Sequence, residues 1–218
     1  MAECLFNLSG TGKVLFAVSK IVIGSLLIFG CLIGCSEPEG PKEAVEISTR
    51  LGAIEGFRQY GVLHFFGIPY AEPPVGEKRF MPPVAAKPWS GVLSARTHGN
   101  RCLQGEDGLE GEGTPFREDC LYLNIYTPSV NGERRPVLFW IHGGGFTQGS
   151  ANGYDGSVLA EQGDVVVVSI NYRLGFLGFA DLSDLGDTFI GSASNGFRDQ
   201  IMALNWVAQN IQDFGGDP

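Results

Sequence analysis

Two apolar runs separated by a short polar segment decide the fold of this chain. The sequence PVLFWIHGGGF, residues 136–146, places five apolar residues before a histidine and three consecutive glycines. A second apolar run, DVVVVSINY, occupies residues 164–172. Near-continuous runs of this kind predict strands buried on both faces, as in a parallel sheet covered by helices. The intervening GYDGSVLAEQG, residues 153–163, can form a short helix, so the unit reads strand, helix, parallel strand.

Upstream of this unit, the sequence predicts shorter strands joined by glycine turns. The stretches are AVEISTR at 44–50, GAIEGF at 52–57 and VLHFFGIPY at 62–70, all rich in β-branched or aromatic residues. They suit an antiparallel meander. A further strand with alternating pattern, LYLNIYTP at 121–128, ends at Pro128 because proline cannot continue a central strand.

The last predicted element is a long amphipathic helix. Asn195 is the expected N-cap and Gly215 the expected stop signal. Apolar residues recur at three- and four-residue spacing, which places them on one face of the helix. We expect this face to be the buried one; its members are Phe197, Ile201, Leu204, Ala208 and Ile211.

Composition excludes several classes of protein. The chain has 218 residues, of which 44% are hydrophobic, enough for one core and too many for a disordered tail. Its 32 glycines and 12 prolines are scattered as turn signals, which excludes a collagen-like repeat. With 15 basic against 24 acidic residues, it lacks the cationic surface that phosphate backbones require. We therefore expect no nucleic-acid partner.

The first 35 residues have the order of an export signal. Lys13 and Lys20 precede an uncharged run of 16 residues, 21–36, which contains LIGC at residues 32–35 near its end. This ending resembles a bacterial lipoprotein box, in which Cys35 is lipidated and becomes the mature N-terminus. An ordinary signal peptide and an uncleaved membrane anchor are the alternatives. Residues 36–43 are a polar tether. We expect an exported protein that meets a membrane only through this lipid or anchor.

Cysteine usage agrees with export. Three of the five cysteines lie in the signal region, which leaves Cys102 and Cys120 as the only pair in the predicted mature chain. A pair in an exported protein suggests a disulfide, and closing the glycine- and acid-rich loop between them would contribute roughly 3 kcal/mol of stability. Two reduced thiols are the alternative.

The three glycines after the first apolar run permit three interpretations. A phosphate-binding turn would require a helix N-terminus and usually a lysine or a wider glycine spacing, and neither follows here. The pattern HGGG before an aromatic residue is instead typical of an oxyanion hole. A tight turn without a ligand is the third possibility. The residues favour the oxyanion hole.

Five motifs in order give the chain a resemblance to the type-B carboxylesterase and cholinesterase family. They are GIPYAEPPVGEKRF at 67–80, EDCLYLNIYTP at 118–128, HGGGF at 142–146, NYRLG at 171–175 and DQIMALNWVAQNIQDFGGDP at 199–218. The resemblance implies that residues 44–218 are the N-terminal portion of an α/β-hydrolase fold. In it, an antiparallel meander leads into a mostly parallel sheet with flanking helices. It also implies a small carboxylic ester as substrate and neither cofactor nor metal.

The resemblance assigns roles to particular residues. Gly144 and Gly145 would donate their N–H groups to an oxyanion, whereas His142 would support the glycine loop and would not act as the base. The remaining assignments are structural: a bridge between Cys102 and Cys120, and ion pairs joining Arg79 to Glu118 and Arg173 to Asp199. Charge alone would leave those four side chains as solvated surface groups.

The motif G-x-S-x-G, which presents the nucleophilic serine in this family, does not occur in the 218 residues. We therefore expect the nucleophile, acid and histidine of the triad to be absent, the chain being truncated before the nucleophile elbow. The loop between Cys102 and Cys120 holds no tryptophan, so choline esters are not expected as substrates. The chain is interpreted as the N-terminal fragment of an exported serine ester hydrolase. The alternative is a non-catalytic, cholinesterase-like binding or adhesion module.

Overall fold

The computed structural model describes residues 40–105 and 114–218. The predicted export segment 1–35, with the proposed lipidation site Cys35, and part of the tether lie outside the described residues. The strands of the described part are β1 (Glu43–Thr49), β2 (Gly52–Gln59), β3 (Val62–Pro69), β4 (Val92–Ser94), β5 (Arg101–Cys102), β6 (Phe116–Arg117), β7 (Tyr122–Thr127), β8 (Val137–Ile141) and β9 (Val166–Ile170).

The main sheet runs in the order β1-β2-β3-β7-β9-β8, with the short β4 paired to β2. The first four neighbouring pairs are antiparallel, and β8 pairs with β9 in parallel, with Phe139 opposite Val168. The predicted meander leading into a parallel unit is therefore confirmed. Strand β7 ends at Thr127, directly before Pro128, also as predicted. Strands β5 and β6 form a separate parallel pair.

The helices of the described part are α1 (Ser157–Gly163), α2 (Gly175–Phe179) and α3 (Asn195–Asn210), joined by short 3-10 turns. Helix α1 connects β8 to β9, as the sequence predicts. None of the helices in the described ranges has the length and apolar character needed to cross a bilayer.

The core lies between the sheet and helix α3. Strand β9 is buried along its whole length, which matches the prediction from its apolar run. Strand β7 is also buried on both faces from Leu123 to Thr127, so its alternating pattern does not mark a solvent face. Leu123 and Ile125 belong to the core beside α3, whereas Tyr126 belongs to a second cluster with Ala160 of α1. The large side chains of this core include Phe65, Leu123, Ile125, Ile170, Trp206 and Phe214.

Strand β8 is more exposed than β9, although both strands are near-continuous apolar runs. Within the described residues it pairs only with β9 and forms the end of the sheet. Leu138, Trp140 and Ile141 are 36–41% exposed. The prediction that this strand is buried on both faces is therefore wrong for these residues, because no described element covers its second edge.

Helix α3 exists as predicted but turns a different face to the core. Ala203, Trp206 and Val207 are buried, whereas Phe197 and Ile201 of the predicted face are 45% and 61% exposed. Ile211, the last member of the predicted face, is buried as predicted.

The ends of this helical segment are only partly as predicted. Asn195 is the first helical residue and not the N-cap, which is Ser194, and its side-chain amide donates to the carbonyl of Phe80. The predicted stop is confirmed, since Gly215 has a φ of 82° and ends the 3-10 turn that follows α3.

Candidate active-site loop

The three glycines leave the end of β8 and form an exposed loop. Gly144 and Gly145 have φ values of 111° and 62°, in the region that favours glycine. Among the described residues, neither of their N–H groups donates a hydrogen bond to the protein. Two consecutive exposed donors are thus free to bind an acceptor from outside this part of the chain.

Close packing explains why Gly144 has no side chain. A Cβ at this position would lie 1.9 Å from the carbonyl oxygen of Gln148. The carbonyl of Gly144 in turn accepts hydrogen bonds from the N–H groups of Thr147 and Gln148, at 3.1 and 3.2 Å. At Gly145 a Cβ would meet no atom within 4 Å, so open space adjoins the second donor.

Phe146 continues the loop in a strained conformation. Its φ of 63° is unusual for a bulky residue and costs energy that the surroundings must offset. Its carbonyl accepts a hydrogen bond from the N–H of Gly175, and its ring packs against Phe179 and Phe197, with centroids 5.0 and 5.4 Å apart. These contacts tie the far side of the loop to helices α2 and α3.

His142 supports the loop from beneath. It is 3% exposed, and its ring stacks on Tyr172 with centroids 4.5 Å apart. Nδ1 of His142 lies 2.8 Å from the carbonyl oxygen of Gly143, and the Tyr172 hydroxyl donates to the carbonyl oxygen of His142 at 3.0 Å. Burial lowers the pKa of His142, so the ring is neutral at pH 7. This environment suits a packing role.

A contact that the sequence did not reveal holds the base of the loop. The N–H of Gly149 donates to Oε1 of Gln104, and Nε2 of Gln104 donates to the carbonyl oxygen of Gly149, both at 2.9 Å. Gln104 follows the disulfide that joins Cys102 to Cys120. Apart from its position two residues after a cysteine, no local signal marks this glutamine.

The structure brings Arg173 and Asp199 together in the interior. Arg173 Nε and Nη2 donate to the two carboxylate oxygens of Asp199 at 2.8 and 2.7 Å, and its backbone N–H donates at 3.0 Å. The pair is 3% and 0% exposed at its side chains. Burial raises the pKa of Asp199, and the hydrogen bonds and positive charge of Arg173 oppose that shift. Arg173 Nη1 also donates to the carbonyl of Met81, so the pair fixes two loops against α3.

Arg79 and Glu118 form the second ion pair, at the surface. Their Nε and Oε2 atoms are 2.7 Å apart, and the arginine side chain is 44% exposed. The hydrogen bond that Arg79 donates to Glu118 raises the pKa of Arg79, which stays charged at all physiological pH values. Water screens this pair far more than the buried one.

The other two histidines lie away from the loop. His64 stacks on Phe57 and His98 stacks on Phe66, at 4.8 and 4.1 Å between ring centroids. Over residues 40–105 and 114–218, no group of three or more histidine, cysteine or acidic side chains is arranged to hold a metal ion.

The sheet order, the parallel β8–α1–β9 unit and the glycine loop at the end of β8 define the class of protein: the N-terminal portion of an α/β-hydrolase fold. Residues 42–218 match the Carboxylesterase family, and the chain belongs to that family.

Curated relatives agree with this assignment and show how much of the family the chain spans. It is 42% identical to pyrethroid hydrolase Ces2e of Rattus norvegicus over 92% of its length. It is 44% identical to para-nitrobenzyl esterase of Bacillus subtilis (strain 168) over 79%. The chain covers 37% and 36% of these two proteins.

Solved structures show the same extent. The crystal structure of the Geobacillus stearothermophilus carboxylesterase EST55 at pH 6.2 matches 79% of the chain with a TM-score of 0.74 and 46% identity. The match covers 36% of that protein. The chain therefore spans little more than a third of the length of the relatives it matches.

Proposed function

We propose that the chain supplies the oxyanion-binding part of a serine carboxylesterase that hydrolyses small carboxylic esters. The observation that carries the proposal is the pair of exposed, unbonded N–H groups of Gly144 and Gly145, presented by consecutive glycines with positive φ. Membership of the Carboxylesterase family supports it. Several of the relatives are esterases, para-nitrobenzyl esterase among them.

The chemistry follows from where negative charge develops. Attack of a serine hydroxyl on the ester carbonyl turns the carbonyl oxygen into an oxyanion, while a histidine takes the proton and an acidic residue orients that histidine. The N–H groups of Gly144 and Gly145 would bind the oxyanion. Because these donors are fixed before the reaction, each contributes roughly 3–4 kcal/mol of barrier lowering.

We also propose that the nucleophile, base and acid lie outside these 218 residues. The sequence contains no G-x-S-x-G motif. His142 is buried and its Nδ1 faces the carbonyl of Gly143, so it is poorly placed to serve as the base. Without a nucleophile, the oxyanion donors have no intermediate to stabilise.

Hydrolysis of p-nitrophenyl acetate tests both proposals. Residues 36–218 alone are expected to show no turnover above an unrelated protein at the same concentration. A form of the protein extended through a G-x-S-x-G motif should hydrolyse the ester and lose that activity when the motif serine becomes alanine. Titratable turnover by residues 36–218 would contradict the placement of the nucleophile. An extended form that binds but never hydrolyses esters would favour the non-catalytic binding module.

The substitution Gly144→Ala tests the oxyanion role directly. A Cβ at this position would lie 1.9 Å from the carbonyl oxygen of Gln148, so the loop must move and the donors lose their orientation. We expect kcat of the extended form to fall by about 10²–10³-fold, the usual effect of losing one oxyanion donor. The substitution Gly132→Ala, in an open turn at φ 90° outside the loop, is the control for backbone strain alone. Equal activities of the two variants would contradict the assignment.

We propose, finally, that the protein is exported and that Cys35 carries a lipid. The basis is the order of charged, apolar and small residues in positions 13–35. Mass spectrometry of the mature protein from a bacterial host should find an N-terminal diacylglyceryl-modified Cys35. A Cys35→Ala variant should lose the lipid and leave the membrane fraction. An unmodified N-terminus elsewhere would overturn the lipoprotein proposal.

A further inference from the structure

Gln104 makes an unusual pair of contacts at the base of the glycine loop. Its side-chain amide accepts from the N–H of Gly149 and donates to the carbonyl oxygen of Gly149, both at 2.9 Å. The amide thus satisfies both backbone groups of one residue, as a neighbouring strand would. Nε2 also donates to the carbonyl of Cys102 at 3.1 Å, which fixes the orientation of the side chain.

Gly149 is in turn packed against the start of the same loop. Its φ is 116°, and a Cβ there would lie 2.4 Å from Nδ1 of His142 and 2.5 Å from the carbonyl oxygen of Gly143. No side chain fits in this space. The two ends of the loop, residues 142–143 and residue 149, therefore touch, and the position of Gly149 determines how the intervening glycines are presented.

The anchor of Gln104 lies outside the loop. Cys102 is 2% exposed and bridged to Cys120, two residues before β7 begins. The glutamine is thus held by the central part of the sheet through a covalent bridge. In contrast, the segment from Gly143 to Gln148 is exposed. A rigid support outside the loop is what an exposed pair of donors needs to keep its orientation.

From these contacts we infer that Gln104 is a positioning residue that sets the geometry of the oxyanion donors Gly144 and Gly145. This inference rests on the proposed function for its catalytic consequence. We call the two hydrogen bonds between the Gln104 side chain and the backbone of Gly149 the clamp. The clamp can be measured without catalysis.

The first test is amide hydrogen exchange and NMR of the protein carrying Gln104→Ala. The N–H of Gly149 loses its acceptor, so we expect its exchange to accelerate by about tenfold or more, with shifted resonances for Gly144 and Gly145. Leu103→Ala is the matched control because Leu103 is the neighbouring residue and is 39% exposed. Unchanged Gly149 exchange overturns the inference. Equal acceleration of all core amides also overturns it, because that result shows a general loss of stability.

The second test uses Gln104→Glu and pH. An ionised carboxylate can accept from the N–H of Gly149 but cannot donate to its carbonyl oxygen, so one bond becomes a repulsion. Protonation near pH 4.3, the ordinary glutamate pKa, restores a donor. Relative to the unsubstituted protein at the same pH, Gly149 protection should recover as the pH falls from 7 to 4. If the ratio of Gly149 protection in the variant to that in the unsubstituted protein does not change with pH, the inference is overturned.

The catalytic consequence needs a form of the protein that hydrolyses p-nitrophenyl acetate. In that form, Gln104→Ala should lower kcat by about 10–100-fold with KM within twofold, because misplaced donors weaken the transition state more than the ground state. A rise in KM of about 10–100-fold with an unchanged kcat overturns the positioning role. If the unsubstituted form shows no turnover, the proposed function fails, while the exchange experiments still decide on the clamp.

Discussion

The buried ion pair between Arg173 and Asp199 is expected to contribute strongly to stability. Replacing the arginine by alanine removes two side-chain hydrogen bonds and the positive charge from a carboxylate that is 0% exposed, and only the bond from the backbone N–H of residue 173 remains. Breaking a buried pair in this way costs about 3–5 kcal/mol. We expect Arg173→Ala to lower the free energy of unfolding by this amount in urea denaturation. Asp199→Asn should cost a similar amount, because it leaves the guanidinium of Arg173, which is 3% exposed, without its counter-charge.

The surface pair supplies the comparison. Arg79 and Glu118 are in contact, but the arginine side chain is 44% exposed and water competes for both groups. Arg79→Ala should leave the denaturation midpoint close to that of the unsubstituted protein. Equal losses for Arg79→Ala and Arg173→Ala would show that burial does not set the value of these pairs.

His142 predicts a pH dependence of stability. Burial lowers its pKa in the folded state below the ordinary value of about 6.5. Between the two values the unfolded chain binds more protons, so the free energy of unfolding is highest above pH 6.5 and falls as the pH drops below it. Urea denaturation at pH 7.5, 6.5 and 5.5 measures this decline. The decline should be shallower in His142→Gln, and an identical slope in the variant would contradict the assignment.

At the scale of elements, helix α3 presents two apolar faces. Val207 is 7% exposed on the face that meets the sheet, whereas Ile201 is 61% exposed on the other. In residues 36–218 we expect Val207→Gln to cost about 2 kcal/mol or more, because it removes packing and buries an amide. Ile201→Gln should fall within about 0.5 kcal/mol of the unsubstituted chain. Urea denaturation of the two variants tests this, and equal costs would contradict the observed orientation of the helix.

These elements also show how far sequence patterns could predict the fold. Apolar runs correctly placed β8 and β9, and the spacing of apolar residues correctly predicted a helix near residues 195–211. The exposure of β8 and of the Ile201 face was not predictable from these residues, because burial depends on which other elements cover a surface. A sequence pattern shows that a face of a helix or strand is apolar, but it does not show which other element packs against that face.

The candidate site was predictable to a similar extent. The glycines and His142 form a contiguous motif, so their roles could be proposed from sequence. Gln104 could not be found in this way, because its partner Gly149 is 45 residues distant in the sequence. Tertiary contacts of single polar side chains leave no periodic signal.

At the scale of the whole molecule, the described part carries apolar surface on the outer side of β8. Leu138, Trp140 and Ile141 are partly exposed there. The chain near its C-terminal end begins to pair with this side: Gly216 forms an isolated parallel bridge with Arg135, the residue shortly before β8. The relatives are longer than this chain, which covers 36–37% of the length of two of them.

An open strand edge with apolar side chains predicts self-association of residues 36–218. Unpaired backbone groups on such an edge can pair with a second copy, and exposed apolar patches strengthen the contact. We expect light scattering coupled to size-exclusion chromatography to show a mass that rises with concentration. Trp140→Lys, which places a charge on β8, should shift the distribution toward monomer. Val92→Lys, on the short strand β4 and 52% exposed, is the matched control and should have little effect. A monomer at every concentration would show that the outer edge of β8 is already covered.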